Sequence, residues 1–178
     1  MIFHKTKIEG TYVIDPELRS DERGYFTRMF CKKELDGAGI YFPEIMQGNR
    51  SHTLRKGMIR GMHYQIPPYA EDKIIQCVSG AIYDVVLDMR KDSSTFGQWV
   101  SEELTAENGK MILVPKGCAH GFQTLTDNCM VQYLLSAYYT AESERGMKWN
   151  DPAFGIVWPI EDVGVSEKDE NWPLYHGK

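Results

Sequence analysis

Two stretches of the sequence combine a histidine with glycines at fixed spacing. The first runs from Gly57 to Gln65 and holds His63, and the second runs from Gly109 to His120. An imidazole changes charge near neutral pH, so both histidines are candidates for acid–base work or anion binding. A lone histidine in a small β domain is more often a hydrogen-bonded structural residue. The residue types indicate proton transfer or anion binding but leave the structural role open.

The second stretch has the spacing Gly, five residues, Pro-x-Gly-x-x-His, and it resembles the second motif of the cupins, one half of a small jelly-roll barrel. Its glycines and proline predict turns at both ends of a strand, which would aim His120 into the mouth of the barrel. A metal-binding cupin needs His-x-His in the first motif with a carboxylate shortly after it. This chain has His63-x-Gln65, and Glu71 lies beyond the usual spacing. We therefore expect no metal and no cofactor.

Three further polar residues, Arg60, Lys73 and Tyr133, fall on or beside neighbouring predicted strands. An unpaired cation next to an apolar interior is costly unless it meets an anion. The anion could belong to a substrate. The structural alternative is a partner carboxylate within the chain, for which the candidates are Glu71, Asp84 and Asp88.

The elements that must position these residues are mostly strands. Apolar and β-branched runs predict strands at Lys73–Val78, Ala81–Met89, Gln98–Leu104, Lys110–Val114, Gly121–Thr126 and Met130–Ser136. Ser79-Gly80 predicts a tight hairpin between the first two. Short helices are predicted at Lys32–Gly37 and, weakly, Ala141–Arg145, and an irregular tail is expected from about residue 159. This spacing is typical of an all-β antiparallel sandwich or barrel.

Size and charge limit the class of protein. The chain has 178 residues and a net charge of −5, which fits one domain over residues 1–178 and argues against binding to nucleic acid or an anionic membrane. No apolar run is long enough to cross a bilayer and the start does not resemble a secretion signal, so we expect a cytoplasmic protein. The four cysteines are scattered without a Cys-x-x-Cys pair, which favours free and mostly buried thiols.

Several motifs in register over roughly residues 5 to 170 resemble the dTDP-4-dehydrorhamnose 3,5-epimerase family. They are Asp21-Glu22-Arg23-Gly24-Tyr25-Phe26, Arg60-Gly61-Met62-His63-Tyr64-Gln65, Lys73, Pro115-x-Gly117-x-Ala119-His120-Gly121-Phe122, Tyr133, Tyr138-Tyr139, Trp149-Asn150-Asp151-Pro152, Gly155-Ile156-x-Trp158-Pro159 and Ser166-Glu167-Lys168-Asp169. The resemblance implies a metal-free cupin-type jelly roll that works as a strand-exchanged homodimer. It also implies a nucleoside-diphosphate 4-keto-6-deoxyhexose as substrate, with inversion at C3, C5 or both.

The resemblance assigns four catalytic roles. His63 matches the base that removes a C–H proton, and Asp169 matches the carboxylate that fixes the tautomer of its ring. Lys73 matches the cation beside O4, where it would stabilise the enolate, and Tyr133 matches the acid on the opposite face of the sugar.

The remaining matches imply substrate binding. Arg60 and His120 match positions near the phosphates and the reacting sugar, and an arginine suits bidentate phosphate contact. Tyr139 matches an aromatic ring that stacks on the base. The other matched positions, for substrate and nucleoside, are Arg23, Phe26, Arg28, Gln47, Gly48, Asn49, Glu144 and Lys168.

Two of these positions depart from the family pattern. The family usually carries Glu where this chain has Arg28, and Asp where it has Gly48. Each change removes a carboxylate near the expected nucleoside pocket, which gives the hypothesis of a preference for cytidine or another nucleotide over thymidine. The alternative is that Arg28 points to solvent or to a phosphate.

Two other classes of function are alternatives to an epimerase. A cupin that binds a sugar nucleotide without catalysis would lack the base, acid or enolate cation, yet His63, Tyr133 and Lys73 are all present. A metal-dependent cupin is disfavoured by Gln65. Whether C3, C5 or both are inverted is left open, because it depends on the fit of the sugar ring.

Overall fold

The computed structural model describes residues 1–177, so the last residue of the expected domain lies outside the described residues. The strands before residue 90 are β1 (Ile2–Lys5), β2 (Tyr12–Asp15), β3 (Arg19–Asp21), β4 (Gly24–Phe26), β5 (Gln47–Thr53), β6 (Met58–Gln65), β7 (Lys73–Ser79) and β8 (Ala81–Asp88). Those after it are β9 (Trp99–Thr105), β10 (Met111–Val114), β11 (Cys118–Thr124), β12 (Cys129–Leu135), β13 (Glu144–Gly146) and β14 (Gly164–Val165). The helices are α1 (Lys32–Gly37), a 3₁₀ turn at Ala141–Ser143 and α2 (Glu167–Glu170).

The strands form two large sheets and one small hairpin, so the all-β prediction is confirmed. Sheet one has the order β1-β2-β10-β7-β12-β5, and sheet two has the order β13-β6-β11-β8-β9. Neighbours in both orders are antiparallel, and β14 adds a short parallel pairing to β6 beyond the end of β13. The hairpin of β3 and β4 belongs to neither large sheet.

The core lies between the two sheets because their central strands are apolar on the facing sides. Ile75 and Val131 of sheet one belong to the same buried cluster as Val86 and Phe122 of sheet two. All four cysteines are free, and three of them are buried. Burial raises the pKa of Cys77 to about 11 and that of Cys118 to about 12, so these thiols stay protonated. The prediction of free, mostly buried thiols is confirmed.

The predicted hairpin at Ser79-Gly80 is wrong. β7 pairs with β10 and β12, whereas β8 pairs with β9 and β11, so the chain passes from one sheet to the other at this turn. Gly80 has a φ of 76°, and a Cβ added to it would lie 2.5 Å from Thr126 Oγ1. The sequence pattern predicts both strands and the turn correctly but cannot identify the pairing partners.

The helix predictions have mixed outcomes. α1 spans the predicted residues Lys32–Gly37. The weak prediction over Ala141–Arg145 is wrong beyond its first turn, because β13 begins at Glu144 and pairs with the edge of β6. The tail from residue 159 carries β14 and α2. Within residues 1–177, no helix has both the length and the apolar composition needed to cross a membrane.

Replacing Gly80 by alanine tests the crossover between the sheets. Gly155 serves as the control, because it also has a positive φ but has no atom within 4 Å of an added Cβ. We expect Gly155→Ala to lower the free energy of unfolding by about 1–2 kcal/mol, the cost of a left-handed alanine. Gly80→Ala should cost about 1–3 kcal/mol more, because its methyl group also overpacks the corner. Urea unfolding measures both, and equal losses would contradict the crowded crossover.

Candidate active site

A cleft of about 440 Å³ opens between the two sheets and is lined by both histidines of the two motifs. His63 on β6 and His120 on β11 are register partners, so their side chains share one face of sheet two. The register then shifts so that Phe122 faces Arg60. This irregularity brings Arg60 into the lining of the same cleft.

Asp169 holds His63 from the far end of the chain. Its Oδ1 lies 2.6 Å from His63 Nε2, although the two residues are 106 positions apart. Its Oδ2 accepts the backbone N–H of Gly61 at 3.3 Å, and its own N–H donates to Ser166, the N-cap of α2. Burial opposes ionisation of Asp169, but the hydrogen bond and the charge of His63 outweigh it and hold the pKa of Asp169 below its usual value. The carboxylate therefore accepts the Nε2 proton, which leaves the lone pair of a neutral His63 on Nδ1.

Trp172 completes the support of His63 and was not singled out by the sequence analysis. Its ring centroid lies 6.1 Å from that of His63 at an interplanar angle of 61°. The indole rests on Gly146, where an added Cβ would lie 2.3 Å from its ring, and Lys168 Nζ lies 5.9 Å from the ring centroid. Nothing in a single sequence connects a tryptophan near the C-terminus with a histidine on β6.

Tyr133 lines the cleft from the other sheet. It lies on β12 of sheet one, and its hydroxyl is 3.2 Å from Ser51 Oγ. Burial raises the pKa of Tyr133 well above its usual value, so the phenol keeps its proton at neutral pH. A group able to accept a proton and a group able to donate one therefore stand on the two facing sheets.

A second histidine–carboxylate pair occupies the same cleft. His120 Nε2 lies 2.8 Å from Oδ2 of Asp84, a residue of β8 that is 0% exposed. The ring centroid of His120 lies 6.3 Å from that of Tyr133. The sequence analysis considered Asp84 only as a counterion for Arg60 or Lys73, and this assignment is wrong because the carboxylate faces His120.

Lys73 has the carboxylate partner that the structural alternative required. Its ammonium lies 3.1 Å from Glu71 Oε1 and donates to the backbone oxygen of His63 at 3.4 Å. Asp88 does not take part, because its carboxylate binds Arg90 instead. This contact with the His63 backbone puts the charge of Lys73 close to His63.

Arg60 differs from Lys73 in its partners. Its Nε donates to Thr53 Oγ1 at 2.8 Å and its Nη2 to the backbone oxygen of His52 at 3.2 Å. Among the residues that the structure describes, Arg60 has no carboxylate within ion-pair distance. Its charge is held at the cleft by neutral oxygens, an arrangement suited to an incoming anion.

Several residues expected at the nucleoside end lie together. Lys168 Nζ is 2.7 Å from both carboxylate oxygens of Glu144, and the Tyr139 hydroxyl donates to Glu144 at 2.9 Å. Burial opposes the charge on Glu144, but Lys168 and Tyr139 lower its pKa below the usual value. Gln47 accepts the Tyr139 N–H at 3.1 Å and donates to Asn49 at 3.0 Å.

Six of the expected catalytic and binding residues line the His63 cleft, namely His63, Tyr133, Asp169, Arg60, His120 and Lys168, and the others, Lys73 among them, lie outside its lining. Arg23 and Phe26 lie on the β3–β4 hairpin, where Arg23 pairs with Asp21 and Phe26 is 64% exposed. Arg28 pairs with Glu34 of α1. Gly48 lines a different groove, on sheet one. The separation of Arg23 and Phe26 from the cleft follows from the hairpin belonging to neither large sheet.

The pKa of Asp169 predicts a pH-dependent contribution to stability. A carboxyl whose pKa is depressed in the folded state stabilises the fold above its unfolded pKa and loses that contribution as pH falls through the folded pKa. Asp169→Asn should therefore lower the free energy of unfolding at pH 7, and the difference from wild type should shrink as the pH falls from about 5 towards 3. Urea unfolding over this range measures it, with the exposed Asp92→Asn as control. A difference that stays constant would contradict the ion pair.

Comparisons with known proteins assign the chain to a family. The family model described as dTDP-4-dehydrorhamnose 3,5-epimerase matches residues 5–176. Epimerases of this name from Shigella flexneri and Sinorhizobium fredii are 40% and 41% identical, over 94% and 97% of this chain and 92% and 89% of their own.

Solved structures give the same result. The Bacillus anthracis epimerase with TDP and PPi bound has a TM-score of 0.94 and 41% identity, covering 98% of this chain and 99% of that one. The Legionella pneumophila enzyme in complex with dTDP-4-keto-L-rhamnose has a TM-score of 0.91 and 36% identity, covering 97% and 92%. ChmJ, a 3'-monoepimerase from Streptomyces bikiniensis in complex with dTDP-quinovose, has a TM-score of 0.87 and 36% identity, covering 96% and 86%. With a cupin-type jelly roll and a full-length match, the chain belongs to the dTDP-4-dehydrorhamnose 3,5-epimerase family.

Proposed function

We propose that this epimerase inverts C3 and C5 of a dTDP-4-keto-6-deoxyhexose, converting dTDP-4-dehydro-6-deoxyglucose to dTDP-4-dehydrorhamnose. The observation that carries the proposal is the pair of facing groups in one cleft. His63 with its Asp169 partner lies on one sheet, and the buried, protonated Tyr133 lies on the other. Inversion next to a ketone needs this arrangement, because a proton must leave one face of the carbon and another must arrive on the opposite face.

The proton transfers at each carbon balance with these residues and solvent water. His63 Nδ1 takes the C–H proton, and the electron pair of that bond forms the C–C double bond of an enolate, with the charge on O4. The ammonium of Lys73 stabilises this charge. Tyr133 then donates its hydroxyl proton to the opposite face of the carbon, the carbonyl re-forms, and exchange with water reprotonates the phenolate and deprotonates the imidazolium.

The diphosphate is proposed to bind Arg60 and His120. Arg60 donates only to neutral oxygens among residues 1–177, so a phosphate would be its first anionic partner within the part of the chain that the structure describes. The nucleoside is proposed to bind at the Tyr139, Glu144 and Lys168 cluster, with Gln47 and Asn49 beside it. TDP bound to the Bacillus anthracis relative supports a thymidine nucleotide.

The working form is proposed to be a homodimer. Arg23, Phe26 and Arg28 match binding positions of the family but do not line the cleft of their own chain. Tyr25 and Phe26 leave large apolar rings exposed on the β3–β4 hairpin. A second copy that received this hairpin beside its own cleft would cover these rings and complete the nucleotide pocket.

The reaction is proposed to take place in the cytoplasm. The support is chemical: all four cysteines are free thiols. Free thiols of this kind are ordinary in a reducing compartment, whereas secreted proteins commonly pair theirs.

Solvent isotope exchange tests the catalytic roles. In D₂O, the wild-type enzyme should incorporate deuterium at C3 and C5 of dTDP-4-dehydro-6-deoxyglucose, read by NMR. His63→Ala should lower exchange at both carbons by about 10²–10⁴-fold, because it removes the base. Tyr133→Phe should keep part of the exchange and lose most of the inversion, because deprotonation from the His63 side remains possible.

The control for this experiment is His4→Ala, which removes an exposed histidine that pairs with Asp15. It should behave like wild type. Exchange at C3 alone would assign the chain to the single-inversion activity that ChmJ represents among its structural relatives. Equal activity of His63→Ala and Tyr133→Phe would overturn the roles, and no exchange at either carbon by wild type would overturn the proposed function.

The nucleotide preference has its own test. The guanidinium of Arg28 is paired with Glu34, which leaves it less available to a cytosine base and argues against the cytidine hypothesis. We expect kcat/KM for the dTDP sugar to exceed that for the CDP sugar by about tenfold or more, because the two bases present opposite hydrogen-bonding groups at N3. A higher kcat/KM for the CDP sugar would contradict the thymidine assignment and support a role for Arg28.

A further inference from the structure

Gln65 stands two residues after His63, at the place where a metal-binding cupin would carry its second histidine. It is 5% exposed and ends strand β6. Its side-chain nitrogen donates to the backbone oxygens of Tyr69 at 2.9 Å and Tyr138 at 3.2 Å and also contacts the carboxylate of Glu71. Its side-chain oxygen accepts the backbone N–H of Thr140 at 2.6 Å. One amide thus joins three separate segments of the chain.

The contact with Glu71 links Gln65 to Lys73, the cation proposed to stabilise the enolate. Glu71 uses Oε2 for Gln65 and Oε1 for Lys73 Nζ, at 3.1 Å. An ammonium has three donors, and in the described residues Lys73 gives one to Glu71 and one to the backbone of His63. The third N–H has no acceptor among the described residues, and its direction depends on where the other two acceptors are held. By fixing the Glu71 carboxylate, Gln65 sets the direction of that proton.

The contacts with Tyr138 and Thr140 reach the nucleoside end. Tyr138 and Thr140 flank Tyr139, whose backbone N–H binds Gln47 and whose hydroxyl binds Glu144. Tyr139 is itself 56% exposed, so packing alone does not fix its position. The Gln65 amide holds the backbone on both sides of this ring.

We propose that Gln65 is a positioning residue that sets the geometry of both ends of the substrate cleft, through Glu71 for Lys73 and through the Tyr138–Thr140 backbone for Tyr139. The inference rests on the proposed function. It adds a residue that touches no reacting atom, and it explains why the second position of the His63-x-Gln65 motif carries an amide. Only an amide offers donors to Glu71 and the loop together with an acceptor for Thr140.

The test is a double-mutant cycle read in kcat. Gln65→Met keeps a similar volume but removes the amide contacts with Tyr69, Tyr138, Glu71 and Thr140. Glu71→Gln removes the charge that holds Lys73. Each should lower kcat for deuterium incorporation from D₂O into dTDP-4-dehydro-6-deoxyglucose by about tenfold. Because both act through Lys73, the double variant should also lose about tenfold. A loss of about 100-fold, the product of two independent effects, would overturn the proposal.

A second readout separates the two ends of the cleft. Gln65→Met should raise the inhibition constant of dTDP severalfold, because it frees the backbone around Tyr139, whereas Glu71→Gln should leave that constant unchanged. This division between kcat and nucleotide affinity would not follow from a general loss of stability. Unchanged dTDP inhibition and unchanged kcat in Gln65→Met would overturn both arms of the proposal.

Gln123→Met is the matched control. Gln123 is also buried. Its side-chain amide donates to the backbone oxygen of Ile160 at 2.8 Å and accepts the backbone N–H of Ile160 at 3.0 Å. It should lower the melting temperature without changing kcat or dTDP inhibition. If Gln65→Met does not fold, Gln65→Glu, which keeps the acceptor for Thr140, takes its place in the same cycle. Failure of the wild-type enzyme to exchange deuterium would instead count against the proposed function.

Discussion

The hydrogen bond between Asp169 and His63 is the contact on which the rest of the site depends. It joins the one-turn helix α2 to the middle of strand β6, across 106 positions of sequence. Forming it requires the C-terminal segment to return to sheet two, where β14 pairs with the start of β6 and Trp172 rests on Gly146. The contact pairs the buried Asp169 carboxylate with the His63 ring. It also orients the imidazole, because the Nε2 proton is directed at Asp169 and Nδ1 is left free.

Several charged groups at and beside the cleft have a specific partner, although Asp84 Oδ1 and Trp172 Nε1 are buried without a hydrogen-bond partner among the described residues. Asp84 faces His120, Glu71 lies between Gln65 and Lys73, and Lys168 faces Glu144. Removing one member of such a pair leaves the other desolvated and unpaired, which costs more than the pair contributes. The cleft is therefore stiff before a substrate arrives, and His63 and Tyr133, the groups proposed to move the proton, stand on two sheets whose spacing is set by the apolar core.

Much of this could be predicted from the sequence, because strands, turns and motifs leave local patterns. The apolar runs predicted the six strands β7 to β12 within a few residues, and α1 was predicted at its observed bounds, whereas the other eight strands were not individually predicted. The sheet to which each strand belongs was not predictable in the same way: β7 and β8 look like a hairpin locally, yet each has two other partners. Likewise, Asp84 and Trp172 contact the histidines only through long-range folding, and no spacing in the sequence marks them. Arg23 and Phe26 lie on a hairpin that belongs to neither large sheet, and the motif that contains them does not reveal that they lie outside the cleft.

The tautomer of His63 is the most direct test of this account. In ¹⁵N-labelled protein above the imidazole pKa, two-bond ¹H–¹⁵N correlations distinguish the protonated from the unprotonated ring nitrogen. The account predicts that His63 carries its proton on Nε2 and that Nδ1 is free. Asp169→Asn should shift the population towards the other tautomer. A wild-type His63 protonated on Nδ1, with Nε2 free, would contradict the role of Asp169 and the assignment of His63 Nδ1 as the base.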